Sequence, residues 1–406
     1  MTQEAPIIRP FAALRPTPDY AADVIAPPYD VLNTAEARAL ARDKPWSFLH
    51  ISKPEIDLDE GISPYDDAVY TKGAENLRTM IDKGILKQDS KPCYYIYQII
   101  MGDHTQTGIV AAGSITAYDA NRIRRHEFTR PDKEDDRVKQ IDILGAQTGP
   151  VMVTHRASNT LSQFVSGICS RSSDYSVTAH NGVIHTLWVV DAEGEIATIS
   201  DTFEAMDAIY IADGHHRSAA ASRVAASRKK GDDFLIVSFP DDEVQILDYN
   251  RVITDLNGLT KEDYLASIEA AFEVSPSTTA SKPSAPGQFG MYLDNQWYSL
   301  KIRGNAPQND PVASLDVSIL SDRLLTPILN IGDPRVDKRI DFVGGIRGLE
   351  ELERRVDSGE MAVAFSFFPT SLKDLMDVAD AGEVMPPKST WFEPKLADGM
   401  ASLMLD

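Results

Sequence analysis

At 406 residues, with 43% apolar and 25% charged side chains, the chain is long enough for two or three domains, each with its own core. Its formal charge of −21, from 61 acids against 40 bases, repels a polyanionic backbone and disfavours nucleic-acid binding; the longest basic string, SRKK at 227 to 230, reads as a helix end matched to its dipole. No run approaches the ~20 apolar residues of a membrane helix, the first residues lack the pattern of a secretory signal, and Cys93 and Cys169 make no disulfide framework, so a cytoplasmic chain with reduced thiols is expected.

In chain order, Pro- and Tyr-punctuated loops (RPTPDYAADVIAPPYDVL) lead to a helix over TAEARALARDK with Thr34 as N-cap, and YTKGAENLRTMIDKGIL gives a second amphipathic helix. Aromatic and β-branched residues predict strands over CYYIYQII and TGIVAAGSITAY, joined by the turn MGDHTQ. A polar stretch, DANRIRRHEFTRPDKEDDR, precedes helical spacing in VKQIDILGAQTG. GPVMVTHR, GVIHTLWVVDAEGEIATI and DAIYIADG are predicted strands, followed by a helix after HHR and by strands FLIVSFP and VQILDYNRVI. A break at TDLNG, near 254 to 258, sets a boundary between domains 1–255 and 256–406. Beyond it come the helix TKEDYLASIEAAF, a Ser/Thr/Pro-rich loop at 275 to 287, the hairpin QFGMYLDNQWYSLKI, the helices LDVSILSDRLLTPIL and IRGLEELERRVDSG, the strand MAVAFSFF and the helix SLKDLMDVADAG. Runs of strands beside separate helices argue for α+β rather than strict βαβ alternation.

Four segments carry candidate chemistry. In IADGHHRSAA a buried strand ends at Asp213, Gly214 permits a sharp turn, and a helix starts near His215. Its unpaired amides and positive dipole end suit an anion, Arg217 can grip phosphate, and His215 or His216 can donate to it. Asp213 is placed to orient a histidine, bind magnesium or cap the helix. Adjacent histidines chelate poorly, so a zinc site here needs distant partners such as His126 or Glu127; a plain polar turn is the third reading. RIRRHEFTRPDKEDDR forms a cationic island from Arg124, Arg125, His126, Arg130, Lys133 and Arg137 around Glu127, a carboxylate kept ionised and suited to a general base, unless the loop is simply solvated. MPPKST ends like a P-loop but has Pro386 and Pro387 where glycines are needed, which leaves Lys388, Ser389 and Thr390 as a closing tail or as exposed polarity. In APPYDV the prolines hold Tyr29 and Asp30 in a rigid loop, read as a packed turn, with a substrate-positioning segment as the alternative.

Together APPYDV, SFLHI, HEFTRPDKEDDR, IADGHHR and MPPKST resemble, over nearly the whole chain, the bacterial and archaeal family catalogued as domain of unknown function DUF1015, whose members are often encoded beside serine-biosynthesis enzymes. The DGHHR segment alone also resembles the phosphate-binding motif of the ParB/sulfiredoxin-like superfamily of free-serine kinases, ParB nucleotide hydrolases and sulfiredoxins. That resemblance implies a mixed-sheet ParB/sulfiredoxin-like core with an additional C-terminal α/β domain. It matches Gly214, His215, His216 and Arg217 to the phosphate-binding turn and Asp213 to the acid before it. A basic DNA-binding module, as in ParB, is missing from the sequence.

The expectation is a phosphotransferase acting on a small-molecule hydroxyl, free L-serine above all, with ADP, ATP or pyrophosphate as donor. Glu127, or Asp213, accepts the proton with His126 beside it; His215, His216 and Arg217 hold the phosphoryl group; Arg125, Arg137 or Lys388 neutralise charge. Mg2+, with Asp213 as a protein ligand, bridges donor oxygens. The alternatives are a phosphoserine phosphatase, a non-enzymatic nucleotide- or amino-acid-binding regulator, and a metal-dependent hydrolase.

Overall fold

The structure, a computed structural model, describes residues 5–229, 231–307 and 309–405; the last lysine of SRKK and the first four residues lie outside them. The chain divides into two compact units, Met1–Val244 with Pro394–Asp406, and Gln245–Glu393. This differs from the boundary read at 255. YNRVI is not the end of the first domain but a strand inside the second unit, and the last residues return to the first.

The first unit is built on a nine-stranded mixed sheet. Its strands are β1 (Ile8–Arg9), β2 (Tyr94–Met101), β3 (His104–Ser114), β4 (Ile123–Arg124), β5 (Val151–His155), β6 (Tyr175–Thr178), β7 (Ile184–Val190), β8 (Ile209–Asp213) and β9 (Asp233–Pro240). They lie in the order β4-β8-β5-β9-β3-β2-β7-β6, with β1 on β3. The pairs β4/β8 and β5/β9 are parallel, the rest antiparallel. Tyr94 to Tyr97 are all buried because both faces of the sheet are covered, which is why this strand reads as a continuous apolar run rather than an alternation. One face packs Tyr94, Ile96, Ile109, Val153, Ile211 and Ile236 against Leu161 and Ile168 of the helix Asn159–Cys169 and Ile199 and Phe203 of the helix Glu193–Glu204.

Three local expectations change. The N-cap of the helix Thr34–Ala41 is Asn33, which makes a reciprocal capping box with Glu36. The ITAY of the expected second strand is instead a helix, Ile115–Asp119, started by the Ser114 side chain accepting from the Ala117 amide. AEGEIATI likewise belongs to the helix Glu193–Glu204, so the expected long strand stops at Val190.

The second unit carries a six-stranded antiparallel sheet from β10 (Tyr249–Ile253), β11 (Phe272–Ser277), β12 (Gln288–Leu293), β13 (Gln296–Ile302), β14 (Ile340–Gly344) and β15 (Val363–Phe367), ordered β11-β13-β12-β15-β10-β14. A separate ladder pairs Gln245–Leu247 with Trp391–Glu393, the two ends of this unit. Both units mix sheet and helix, so the fold is α+β. Among the described residues no helix is long and apolar enough to cross a membrane.

Candidate functional site

The strand β8 and the helix α1 (His215–Arg228) meet at Gly214, whose φ of +100° lies in the left-handed region that glycine tolerates best. An added Cβ there would sit 3.1 Å from Arg217 Nε and 3.2 Å from its Cζ, so the arginine lies directly against the turn. No side chain caps the helix. Because β4 and β8 are parallel, with Ile123 beside Ile209 and Arg124 beside Tyr210, their carboxyl ends reach the same edge of the sheet. The HEFT segment after β4 and the GHHR turn after β8 are thereby brought together, 86 residues apart in each pair.

The two histidines of the turn do different things. His216 Nε2 accepts a hydrogen bond from the Arg130 backbone N–H at 3.0 Å, which ties the HEFTR loop to the helix start; that nitrogen is not a phosphate donor. His215 turns inward, where its ring meets the ring of His126 edge-to-face, centroids 4.4 Å apart at 87°. Both rings are buried, and among the described residues no ring nitrogen of either has a well-formed hydrogen bond. Leaving a buried polar atom unmet costs about 1–3 kcal/mol, so four such nitrogens in one spot ask for an explanation. Burial pushes His126 down to about 4, with the Ile211 carbonyl and Asp213 opposing, and burial then the neighbouring His126 hold His215 well below its ordinary value, so both rings are neutral near pH 7. One ligand atom from each of His126, Glu127 and His215 lies within 4.8 Å of the others.

Asp213 is paired with Lys395 at 3.1 Å. Burial raises its pKa, but Lys395 and Arg217 outweigh that and hold the carboxyl well below its usual range. A carboxylate held ionised so firmly is a weak base, which argues against Asp213 as the proton acceptor.

Arg217 donates to the Pro150 carbonyl and faces the Asp30 carboxylate at 3.9 Å. Burial works against its charge, while Asp30, Asp213, Tyr29 and Asp398 support it. It shares a small cavity of about 30 Å3 with Tyr29, Arg137, Thr148, Gly149 and Asp398, room for a water or two. Arg217 is therefore a charged floor beneath the turn rather than an open clamp.

The remaining expected site residues divide. Arg125 lies over the Tyr118 ring, 4.7 Å from its centroid, and Arg137 stacks on Tyr29 at 4.0 Å while bonding Asp136 at 2.7 Å. Arg137 thus belongs to the Arg217 cavity, on a helix, Pro131–Leu144, that begins earlier than its periodicity predicts. Lys388, Ser389 and Thr390 belong to the second unit. There Lys388 sits over Tyr249 at 5.6 Å, its carbonyl accepts from Arg251, and the buried Ser389 hydroxyl donates to the Pro386 carbonyl at 2.7 Å. Ser389 fixes a turn, which removes it as a phosphate ligand.

Lys395 and Asp398 gave no signal in the sequence, since isolated polar residues in a tail look like any others. Asp30, read as part of a packed turn, stands opposite Arg217.

The model of the family described as "Protein of unknown function (DUF1015)" matches residues 8–318. No curated protein matches the sequence. Among solved structures, free serine kinase in complex with AMP is 13% identical, covers 74% of this chain and 91% of its own, and gives a TM-score of 0.38. A conserved hypothetical protein from Pyrococcus furiosus is 14% identical with 73% and 95% coverage and a TM-score of 0.36. SbnI with C-terminal truncation from Staphylococcus aureus is 11% identical with 73% and 87% coverage and a TM-score of 0.34. Likeness this loose transfers neither ligand nor activity.

Proposed function

We propose, from the premise that the chain belongs to the DUF1015 family, that it moves a phosphoryl group between a donor and a small-molecule hydroxyl at the turn joining β8 to α1. The observation that carries this reading is the turn itself: a left-handed Gly214, an uncapped helix start and the Arg217 guanidinium against the glycine. Backbone amides at such a start, with a fixed positive charge beneath, form a preorganised anion site. The strand, Gly-His-His-Arg turn and helix in that order also support the finer reading of a ParB/sulfiredoxin-like core.

In this reading the amides at the start of α1 hold the transferring phosphoryl group, Arg217 supplies charge from below, and Arg125 meets the equatorial oxygens from the exposed side. Glu127 accepts the hydroxyl proton as the acceptor oxygen bonds to phosphorus and the bond to the donor's leaving oxygen breaks. A Mg2+ ion brought with the donor would supply charge neutralisation at the phosphates, and Asp213, engaged with Lys395, would add little to holding it. Free L-serine is the acceptor the family resemblance implies; ADP, ATP or pyrophosphate are the donors.

The test is to incubate the protein with L-serine, Mg2+ and each donor and follow phosphorus by NMR. Appearance of a phosphoserine resonance is expected with one donor, and Arg217→Ala should lose anion binding. Absence of transfer with every donor, or an Arg217→Ala variant that is folded and binds inorganic phosphate as before, overturns the reading.

A further inference from the structure

We propose that His126, Glu127 and His215 bind one divalent transition-metal ion, of the Zn2+ class, beside the turn. The ligand atoms lie within 4.8 Å of one another, a span one ion can bridge with modest side-chain movement. His126 is 2% exposed and His215 4%, and none of their four ring nitrogens has a well-formed hydrogen bond among the described residues. Core histidines ordinarily meet their polar atoms with a carbonyl, a hydroxyl or a carboxylate. Here each ring instead presents its edge or face to the other. An ion between them satisfies one nitrogen of each ring.

The donor set fixes the class of ion. Two imidazoles and one carboxylate suit Zn2+, Mn2+, Fe2+ or Co2+, whereas Mg2+ and Ca2+ prefer oxygen alone. Three protein ligands leave a position open to water or to a ligand oxygen, as in catalytic rather than structural zinc sites. Two ligands come from adjacent positions after β4 and the third from the residue after Gly214, so the parallel pairing of β4 with β8 builds the site. Coordination lowers the basicity of the Glu127 carboxylate, so phosphoryl transfer is assayed on the chelator-stripped protein, where Glu127 keeps the role given to it above.

Binding is read with no phosphate compound present, which separates this inference from phosphoryl transfer. The full-length protein is stripped with chelator and titrated with Co2+ followed by visible absorption, and with Zn2+ followed by calorimetry and thermal melting. One equivalent per chain, a ligand-field band at one equivalent of Co2+, and a raised melting temperature with Zn2+ are expected. Glu127→Gln, at a half-buried position, should weaken Zn2+ at least about tenfold with the fold unchanged by circular dichroism, and His126→Gln should abolish the band. No band and no melting shift with either metal overturns the proposal. So does stoichiometric binding that both variants leave unchanged. A chain that binds the ion and transfers no phosphoryl group overturns the phosphotransferase reading alone.

Discussion

Asp398 is enclosed beside Arg217 and Gly149, and its Oδ1 has no hydrogen-bond partner among the described residues. Burial pushes its carboxyl up to about 7; Arg217 opposes and Asp30 adds to the rise. The unfolded chain releases that proton near about 4, so between about 4 and 7 the folded state holds a proton that the unfolded state has lost. Stability from this group is therefore complete below about 4 and declines as pH rises through 7, by a few kcal/mol at most since each unit is worth about 1.4 kcal/mol. Asp398→Asn should melt like the parent at or below about pH 4 and increasingly above it from there to pH 8; parallel melting curves across that range would remove Asp398 as the titrating group. At this scale the site was half legible. The GHHR turn and the His126–Glu127 pair stand out because histidines, an arginine and a glycine cluster there, and the wish of an adjacent-histidine motif for distant partners points to His126. The inward turn of His215, the Arg130 bond to His216 and the Lys395–Asp213 pair are tertiary facts: each joins residues 86 or more positions apart, and no local pattern encodes them.

Gly214 and Gly145 are both left-handed glycines at helix ends, and the pair separates two costs of a side chain there. Gly145, at φ +62°, closes the helix Pro131–Leu144 and has nothing within 4 Å of an added Cβ. Gly214, at φ +100°, would press its Cβ against the Arg217 guanidinium. Gly145→Ala should lose about 1–2 kcal/mol, the cost of holding an L-residue left-handed, whereas Gly214→Ala should lose more and also weaken anion binding. Denaturant midpoints at unchanged slope measure both, and equal losses would show that Arg217 does not constrain the turn. Element type was largely legible where hydrophobic periodicity ran long, as in the paired strands Tyr94–Met101 and His104–Ser114. It failed in short helices. ITAY and EIATI are rich in β-branched residues that favour strands, yet a Ser114 cap starts one as a helix, and Ile199 and Phe203 of the other pack into the core. Strand order was not legible, because nothing local to β4 announces a parallel partner 86 residues on.

At the scale of the whole molecule the second unit is an insertion into the first. Both its ends are joined in one ladder, Gln245 opposite Glu393, and antiparallel partners stand about 4.5–5.5 Å apart. The break read from the sequence falls eleven residues late because YNRVI continues the apolar run before it, and its true partners, β14 and β15, lie about ninety residues or more downstream. The tail after the insertion is part of the first unit in a stronger sense than its length suggests. Ala26 and Asp398 exchange backbone hydrogen bonds at 3.1 and 2.9 Å, Leu403–Met404 pairs with Ala146–Gln147, and Lys395 holds Asp213. Replacing Gln245–Glu393 by about four Gly/Ser residues, enough to span neighbouring chain ends, should therefore leave a first unit that unfolds in one cooperative transition and still binds inorganic phosphate. Ending the chain at Glu393 removes a strand partner, the Asp213 counter-charge and the buried Asp398 together, and should abolish that transition although the insertion is intact. Calorimetry with inorganic phosphate titration on the two variants decides, because the insertion can melt by itself: a truncated chain that shows a second transition besides that of the insertion and still binds phosphate would mean that the tail is not what completes the first unit.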